Sequence, residues 1–281
     1  MIRKTLLLSE CNLRASYLEA GDGPPLVLIH GVGMNAAAWY PQIEWLSRTF
    51  KVIAVDMPGH GQSEGFQHDA TLPDYVRWLA ALLATRPEGC FAVAGHSMGA
   101  LITAGLAIDY PALVSHAVVI SGVFKRNDAA REAVLQRAQE LATGHARLDS
   151  PLARWFSDTP EEQTLRAQVG EWLQQVDVEG YARAYRAFAG GDRTYADRWQ
   201  AMRCPVLVMT GEFDANSSPA MARQMAQAAP HGRAVIIENA KHMVNLTDAE
   251  RVNEELLMFL RPAGGSRSLF PTPEGVADGR R

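Results

Sequence analysis

Apolar residues fall along this chain in two alternating patterns: short continuous runs, and longer stretches with helical spacing. Leu26-Val27-Leu28-Ile29-His30 is apolar almost throughout, as a strand buried on both faces should be. Lys51-Val52-Ile53-Ala54-Val55-Asp56 reads the same way, as do Phe91 to Ala94, Ala117 to Ser121, Pro205 to Thr210 and Ala234 to Ile237. Thr5 to Leu8 and Leu13 to Glu19 form an opening hairpin. Between these runs the spacing predicts helices over 36–47, 72–85, 98–109, 219–229 and 248–260. Strand and helix in alternation predict an α/β fold, a mostly parallel sheet with helices on both faces.

One stretch breaks the rhythm. Phe124 to Tyr195 contains no convincing strand and is rich in Ala, Arg, Gln and Glu. Trp155, Phe156, Trp172, Tyr181, Tyr185 and Phe188 recur through it at helical spacings. It reads as a helical insertion between two strands, most of its aromatic rings packing on the main domain and one or two lining a pocket. The expected division is a core over 1–123, the insertion over 124–195 and the second part of the core over 196–261. After Arg261, Gly and Pro become frequent, and 262–281 are expected to form a flexible tail.

Composition narrows the function classes. The 281 residues are 47% hydrophobic and carry a formal net charge of −4, so a large core is available and no basic excess points to nucleic acid or an anionic membrane. Cys11, Cys90 and Cys204 are widely spaced and form no zinc or redox pattern, which suits a reduced, cytoplasmic setting. The apolar run after Met1 is too short for a secretion signal, and no run is long enough to span a bilayer. A small molecule remains as the expected partner, with homo-oligomerisation left open.

The chemistry is concentrated at a few turns. In Phe91-Ala92-Val93-Ala94-Gly95-His96-Ser97-Met98-Gly99 a strand ends in G-x-S-x-G and a helix begins at once. This is the context of a nucleophile elbow, which holds a serine in a strained turn above the sheet edge. Gly95 and Gly99 are expected there because side chains would collide with the adjoining elements. A hydroxyl needs a base. His242 follows the last strand and a short loop, where an open α/β sheet gathers its site. The other seven histidines lack that placement. The base needs an acid to orient it. Val206 to Thr210 runs into Gly211-Glu212-Phe213-Asp214, giving the chain order Ser…Asp…His. Glu212 is the local rival and is expected to be structural or solvated. The oxyanion requires backbone donors. His30-Gly31-Val32 forms a tight turn after the third strand, so Val32 N–H and Met98 N–H are the expected pair, with His30 stabilising the turn.

Taken together, His30-Gly31, Asp56-Met57-Pro58-Gly59-His60-Gly61-Gln62-Ser63, Gly95-His96-Ser97-Met98-Gly99, Gly211-Glu212-Phe213-Asp214 and Lys241-His242-Met243 resemble the successive signatures of the α/β-hydrolase superfamily, over residues 20 to 261. The resemblance implies an eight-stranded sheet, a helical cap over 124–195 and a structural turn at Asp56–Ser63. Ser97 argues against haloalkane dehalogenases and epoxide hydrolases, which carry aspartate at the elbow. His242-Met243 lacks the His-Trp pair typical of meta-cleavage carbon–carbon hydrolases. Within the superfamily the chain is most similar to 3-oxoadipate enol-lactonase-like enzymes and small esterases.

The expected activity is hydrolysis of a small carboxylic ester or lactone through an acyl-enzyme, with no metal or organic cofactor. Two alternatives stand beside it: carbon–carbon, thioester or amide cleavage on the same triad, and a non-catalytic ligand-binding protein. The substrate is expected to be small or medium and largely apolar; an anionic group met by an arginine of the insertion is an added option, with Arg154, Arg183 and Arg186 as candidates, though for each of them solvating a helix face is the favoured role.

Overall fold

The computed structural model describes residues 1–143 and 149–261. The expected tail over 262–281 lies outside the described residues. Eight strands form one sheet: β1 (Ile2–Leu8), β2 (Leu13–Ala20), β3 (Pro25–Ile29), β4 (Lys51–Asp56), β5 (Phe91–His96), β6 (Val114–Ile120), β7 (Val206–Gly211) and β8 (Gly232–Ile237). Their spatial order is β1-β2-β4-β3-β5-β6-β7-β8. The opening hairpin pairs antiparallel, and β2 is also antiparallel to β4; all other neighbours are parallel.

The continuous apolar runs are explained by two cores, one on each face. Along β3, Leu26 and Leu28 point into the core beneath α1 (Tyr40–Leu46) and α10 (Ala249–Leu260). Val27 and Ile29 point into the other, beneath α2 (Leu72–Ala84), α3 (Met98–Asp109) and α8 (Pro219–Ala228). Every second residue serves the opposite face, so neither face leaves a polar position.

One predicted helix is broken, and another is preceded by a short helix that the spacing does not predict. Over 36–47 the chain forms a 3₁₀ turn, Ala36–Trp39, and then α1, because Pro41 has no N–H to continue one helix and sits instead in the first turn of a new one. Before α10, a short α9 (Val244–Thr247) ends at Asp248, whose φ of −125° leaves the helical region. β1 starts three residues earlier than the apolar run, as an edge strand paired only to β2.

Between β6 and β7 lie α4 (Asp128–Ala142), α5 (Asp149–Trp155), α6 (Pro160–Gln175) and α7 (Val178–Gly191), with no strand among the described residues. Asn127, Thr159 and Asp177 cap α4, α6 and α7 by accepting from Ala130, Glu162 and Gly180 N–H. These helices come down on the loops at the C-terminal ends of the parallel strands. At Gly33 a Cβ would lie 2.7 Å from Leu173 of α6 and 3.0 Å from Tyr181 of α7.

Candidate active site

The chain leaves β3 toward β4 on one side and β5 toward β6 on the other. The crevice between β3 and β5 is therefore the switch point where such a sheet collects its ligand. Ser97 stands at its rim with φ 55° and ψ −111°, a left-handed conformation that a non-glycine residue adopts only when its surroundings impose it. The surroundings are visible in the flanking glycines. A Cβ on Gly95 would lie 2.0 Å from Gly99 O, and one on Gly99 would lie 2.2 Å from Ile29 O. Helix α3 packs so closely on β5 and β3 that only glycine fits. Ser97 N–H donates to Ile120 O at 2.9 Å, which ties the elbow to β6. Among the described residues Ser97 Oγ has no hydrogen-bond partner.

His242 and Asp214 are each 3% exposed, and His242 Nδ1–H donates to Asp214 Oδ2 at 2.8 Å. That bond fixes the tautomer and leaves Nε2 unprotonated, the form a base requires. Asp214 Oδ1 accepts from Asn216 N–H at 2.8 Å and Ser217 N–H at 3.0 Å. Burial opposes the Asp214 charge, but His242 and the two amide donors outweigh it and hold the carboxyl below its ordinary range. Glu212 is exposed and accepts from Asn239 N–H at 3.0 Å, so it braces the loop, as expected.

The His242 loop is held from behind by groups that motif reading did not single out. His242 O accepts from His96 Nε2–H at 2.9 Å and from Ser121 Oγ–H at 3.0 Å. Ser217 Oγ–H donates to Ser121 O at 2.6 Å. The end of β5 and the loops following β6, β7 and β8 are thus linked through side chains. His96 is the variable position of G-x-S-x-G, and only the fold brings it to a residue 146 positions away.

Val32 lines the same cavity as Ser97 and His242. Neither Val32 N–H nor Met98 N–H has an acceptor among the described residues, and Met98 opens α3, where helical amides lack internal partners. The Val32 loop is clamped by two buried histidines. His60 Nε2 accepts from Gly33 N–H at 3.0 Å. His30 Nε2 accepts from Met57 N–H at 2.9 Å, while its Nδ1–H donates to Gly31 O at 2.7 Å. Asp56 adds to the clamp by accepting from Ala36 N–H and Gln62 N–H at 2.8 and 3.1 Å. The turn at Asp56–Ser63 is structural.

The cavity holds about 300 Å³. Four of the six insertion aromatics line it, Trp155, Tyr181, Tyr185 and Phe188, more than the one or two expected. The reason is that α4 and α7 both lie along it, so one helix face contributes three rings. The Trp155 ring stacks on His242, 5.8 Å between centroids and 30° between planes. Phe156 packs in the core instead. The arginine expectation is met in part. Arg154 lines the cavity, whereas Arg183 donates to Phe66 O and pairs with Glu179, and Arg186 pairs with Asp69. Arg126 and Arg137, which the sequence did not distinguish, line it as well, and no Asp or Glu does among the described residues. The lining is more cationic than the largely apolar pocket expected.

A family model described as the alpha/beta hydrolase family matches residues 26–255. The chain belongs to the α/β-hydrolase family. This hydrolase is 52% identical, over 260 residues, to (E)-2-((N-methylformamido)methylene)succinate hydrolase of Acinetobacter baylyi, covering 92% of this chain and 98% of the relative. Among solved structures it resembles the enol-lactonase of Burkholderia xenovorans LB400, with a TM-score of 0.83 and 26% identity over 92% of this chain and 99% of that one. A thermophilic esterase from Thermogutta terrifontis shares the fold, with a TM-score of 0.84 and 23% identity over 92% and 98% of the two chains. The expected superfamily and its enol-lactonase-like character are borne out. No helix among the described residues is long and apolar enough to cross a membrane.

Proposed function

We propose that this hydrolase cleaves the acyl bond of a small carboxylate-bearing substrate through an acyl-enzyme on Ser97, with α4–α7 acting as the cap that holds the substrate. The observation that carries the reading is the cavity itself: Ser97 and the Asp214-bound His242 open into it beside three arginines. The Acinetobacter baylyi relative is named for a succinate that carries an N-formyl group on a vinylic nitrogen. That molecule has two carboxylates and one activated formamide, and its charge suits the lining.

Ser97 Oγ forms a bond to the formyl carbon while its proton passes to His242 Nε2. The carbonyl oxygen becomes an oxyanion, and Val32 and Met98 N–H donate to it. His242 returns the proton to nitrogen as the carbon–nitrogen bond breaks, leaving a formyl ester on Ser97. Water then gives a proton to His242, adds to the ester carbon and releases formate, and Ser97 recovers its proton. Asp214 stays ionised and stabilises the imidazolium. The cycle requires no metal or organic cofactor.

The second reading is an ester or lactone, favoured by the likeness to the enol-lactonase. The same triad performs that reaction with an alkoxide or enolate as the leaving group. Formate release from (E)-2-((N-methylformamido)methylene)succinate, measured beside ring opening of an enol-lactone, separates the two. The reading expects Ser97-dependent formate release as the faster reaction; a preferred lactone would move the assignment to the second.

A further inference from the structure

Arg126 follows β6 and lines the cavity that contains Ser97 and His242. It is only 3% exposed. Its Nη1 and Nη2 are buried and have no hydrogen-bond acceptor among the described residues. Leaving buried donors unpaired is costly, so such a group in a native structure calls for an explanation.

The nearest acid does not supply one. Asp192 Oδ1 lies 3.3 Å from Arg126 Nη1 without hydrogen-bonding geometry. Its hydrogen bonds go elsewhere: Oδ2 accepts from the Arg126 backbone N–H at 2.8 Å, and Oδ1 from Arg131 Nη1 at 3.0 Å. One carboxylate is thus shared between two guanidinium groups. The Phe188 ring lies 4.5 Å from Arg126 Cζ and supports the guanidinium from its face. Burial pulls the Arg126 pKa below the ordinary arginine value while Asp192 pulls it back, so the group is charged and underpaired.

A second orphan donor lies in the same cavity. Trp155 Nε1–H is buried and has no partner among the described residues, and its ring stacks on His242. Arg137 also lines the cavity, and its charge acts on Tyr181 and Tyr185 there. A planar, pre-oriented guanidinium with two free N–H edges matches a carboxylate, which accepts two parallel bonds.

We propose that Arg126 is the specificity-determining residue of this hydrolase: its Nη1 and Nη2 grip a substrate carboxylate as a bidentate pair, and Trp155 Nε1–H supplies a third donor beside the base. This rests on the acyl-enzyme reading of the same cavity. The substrate class that follows is a small acyl compound with a carboxylate on its acyl or leaving-group side. Neutral acyl compounds of equal size leave three buried donors unpaired and are rejected.

The test compares two activated esters that differ only in charge, 4-nitrophenyl hydrogen succinate and its neutral isostere 4-nitrophenyl 4-methylpentanoate. The readout is the ratio of kcat/KM for the anionic over the neutral ester. Wild type should favour the anion. Arg126→Gln should lower the ratio about ten- to hundredfold, mainly through KM. Arg126→Lys keeps the counter-charge of Asp192 and serves if the glutamine variant does not fold. It should recover part of the ratio and not all, since an ammonium cannot form the paired bonds. An unchanged ratio in a folded Arg126→Lys or Arg126→Gln variant overturns the proposal. So does a wild type indifferent to the charge, and in that case the serine reading stands. Turnover persisting in Ser97→Ala would instead sink the serine reading, and the ratio would still report on Arg126.

Discussion

Acidification should weaken this fold well before its carboxylates titrate. His60 and His96 are fully buried, and burial, with a neighbouring imidazole adding to it, pushes both pKa values down to about 3 from an ordinary 6.5. Each does its structural work as a neutral ring, His60 accepting from Gly33 N–H and His96 donating to His242 O. Between pH 6.5 and 3 the unfolded chain binds protons on these residues that the folded chain refuses, so stability falls as pH falls through that window. From pH 7 to pH 5 each histidine accounts for about 2 kcal/mol, and the pair for about 4 kcal/mol. His30, also buried and shifted down, acts in the same direction. Asp214 does not mask the effect: its folded pKa is lowered from 3.8, so its contribution is lost only at lower pH. A typical domain is stable by about 5–15 kcal/mol, so this loss is large. Urea unfolding at a series of pH values reads it directly. The expected slope near pH 5 is at least about 3 kcal/mol per pH unit, roughly two protons' worth or more, and His96→Gln should remove about one proton's worth of it. A midpoint equal at pH 7 and pH 5 would show that the buried rings take up protons without cost, and would refute the reasoning.

Other consequences follow from the same contacts. Asp214→Asn should lower kcat by about 10²–10⁴, because the amide no longer fixes the His242 tautomer, whereas Glu212→Gln should leave it near wild type; the reverse result would reassign the acid. Trp155→Ala should slow every substrate, small acetates included, since its ring stacks on His242, while Tyr185→Ala should reorder substrate preference with less effect on acetates; equal losses in the two variants would contradict this division. Gly99→Ala should cost at least about 3 kcal/mol in urea unfolding, because its Cβ would meet Ile29 O at 2.2 Å, and a variant as stable as wild type would show that α3 can move off β3.

The sheet was legible because β3, β4, β5 and β7 are buried on both faces and must be apolar at consecutive positions. The residues brought together at the switch point were legible for a different reason: the elbow carries its context within a dozen residues, and Asp214 and His242 each follow a recognisable strand. What escaped was non-local. Arg126 looks like any other arginine in an arginine-rich, helical stretch, and its backbone N–H is held by Asp192, 66 positions away. Arg183 and Arg186 looked equally suited to the cavity, yet they hold α7 to the loop of Phe66 and Asp69. His96 and Ser121 hold His242 through its carbonyl, a contact that no spacing announces. The break at Pro41 could have been read from proline chemistry alone, since a proline that far into a predicted helix removes a bond.

The proposed chemistry depends above all on Ser97 forming the covalent intermediate. Labelling the intact protein with a phosphonofluoridate and mapping the modified peptide tests it most directly. One adduct is expected, on Ser97, formed in step with loss of activity and absent from Ser97→Ala, which should be folded and inactive. An adduct on another serine, with Ser97→Ala still turning over substrate, would contradict it.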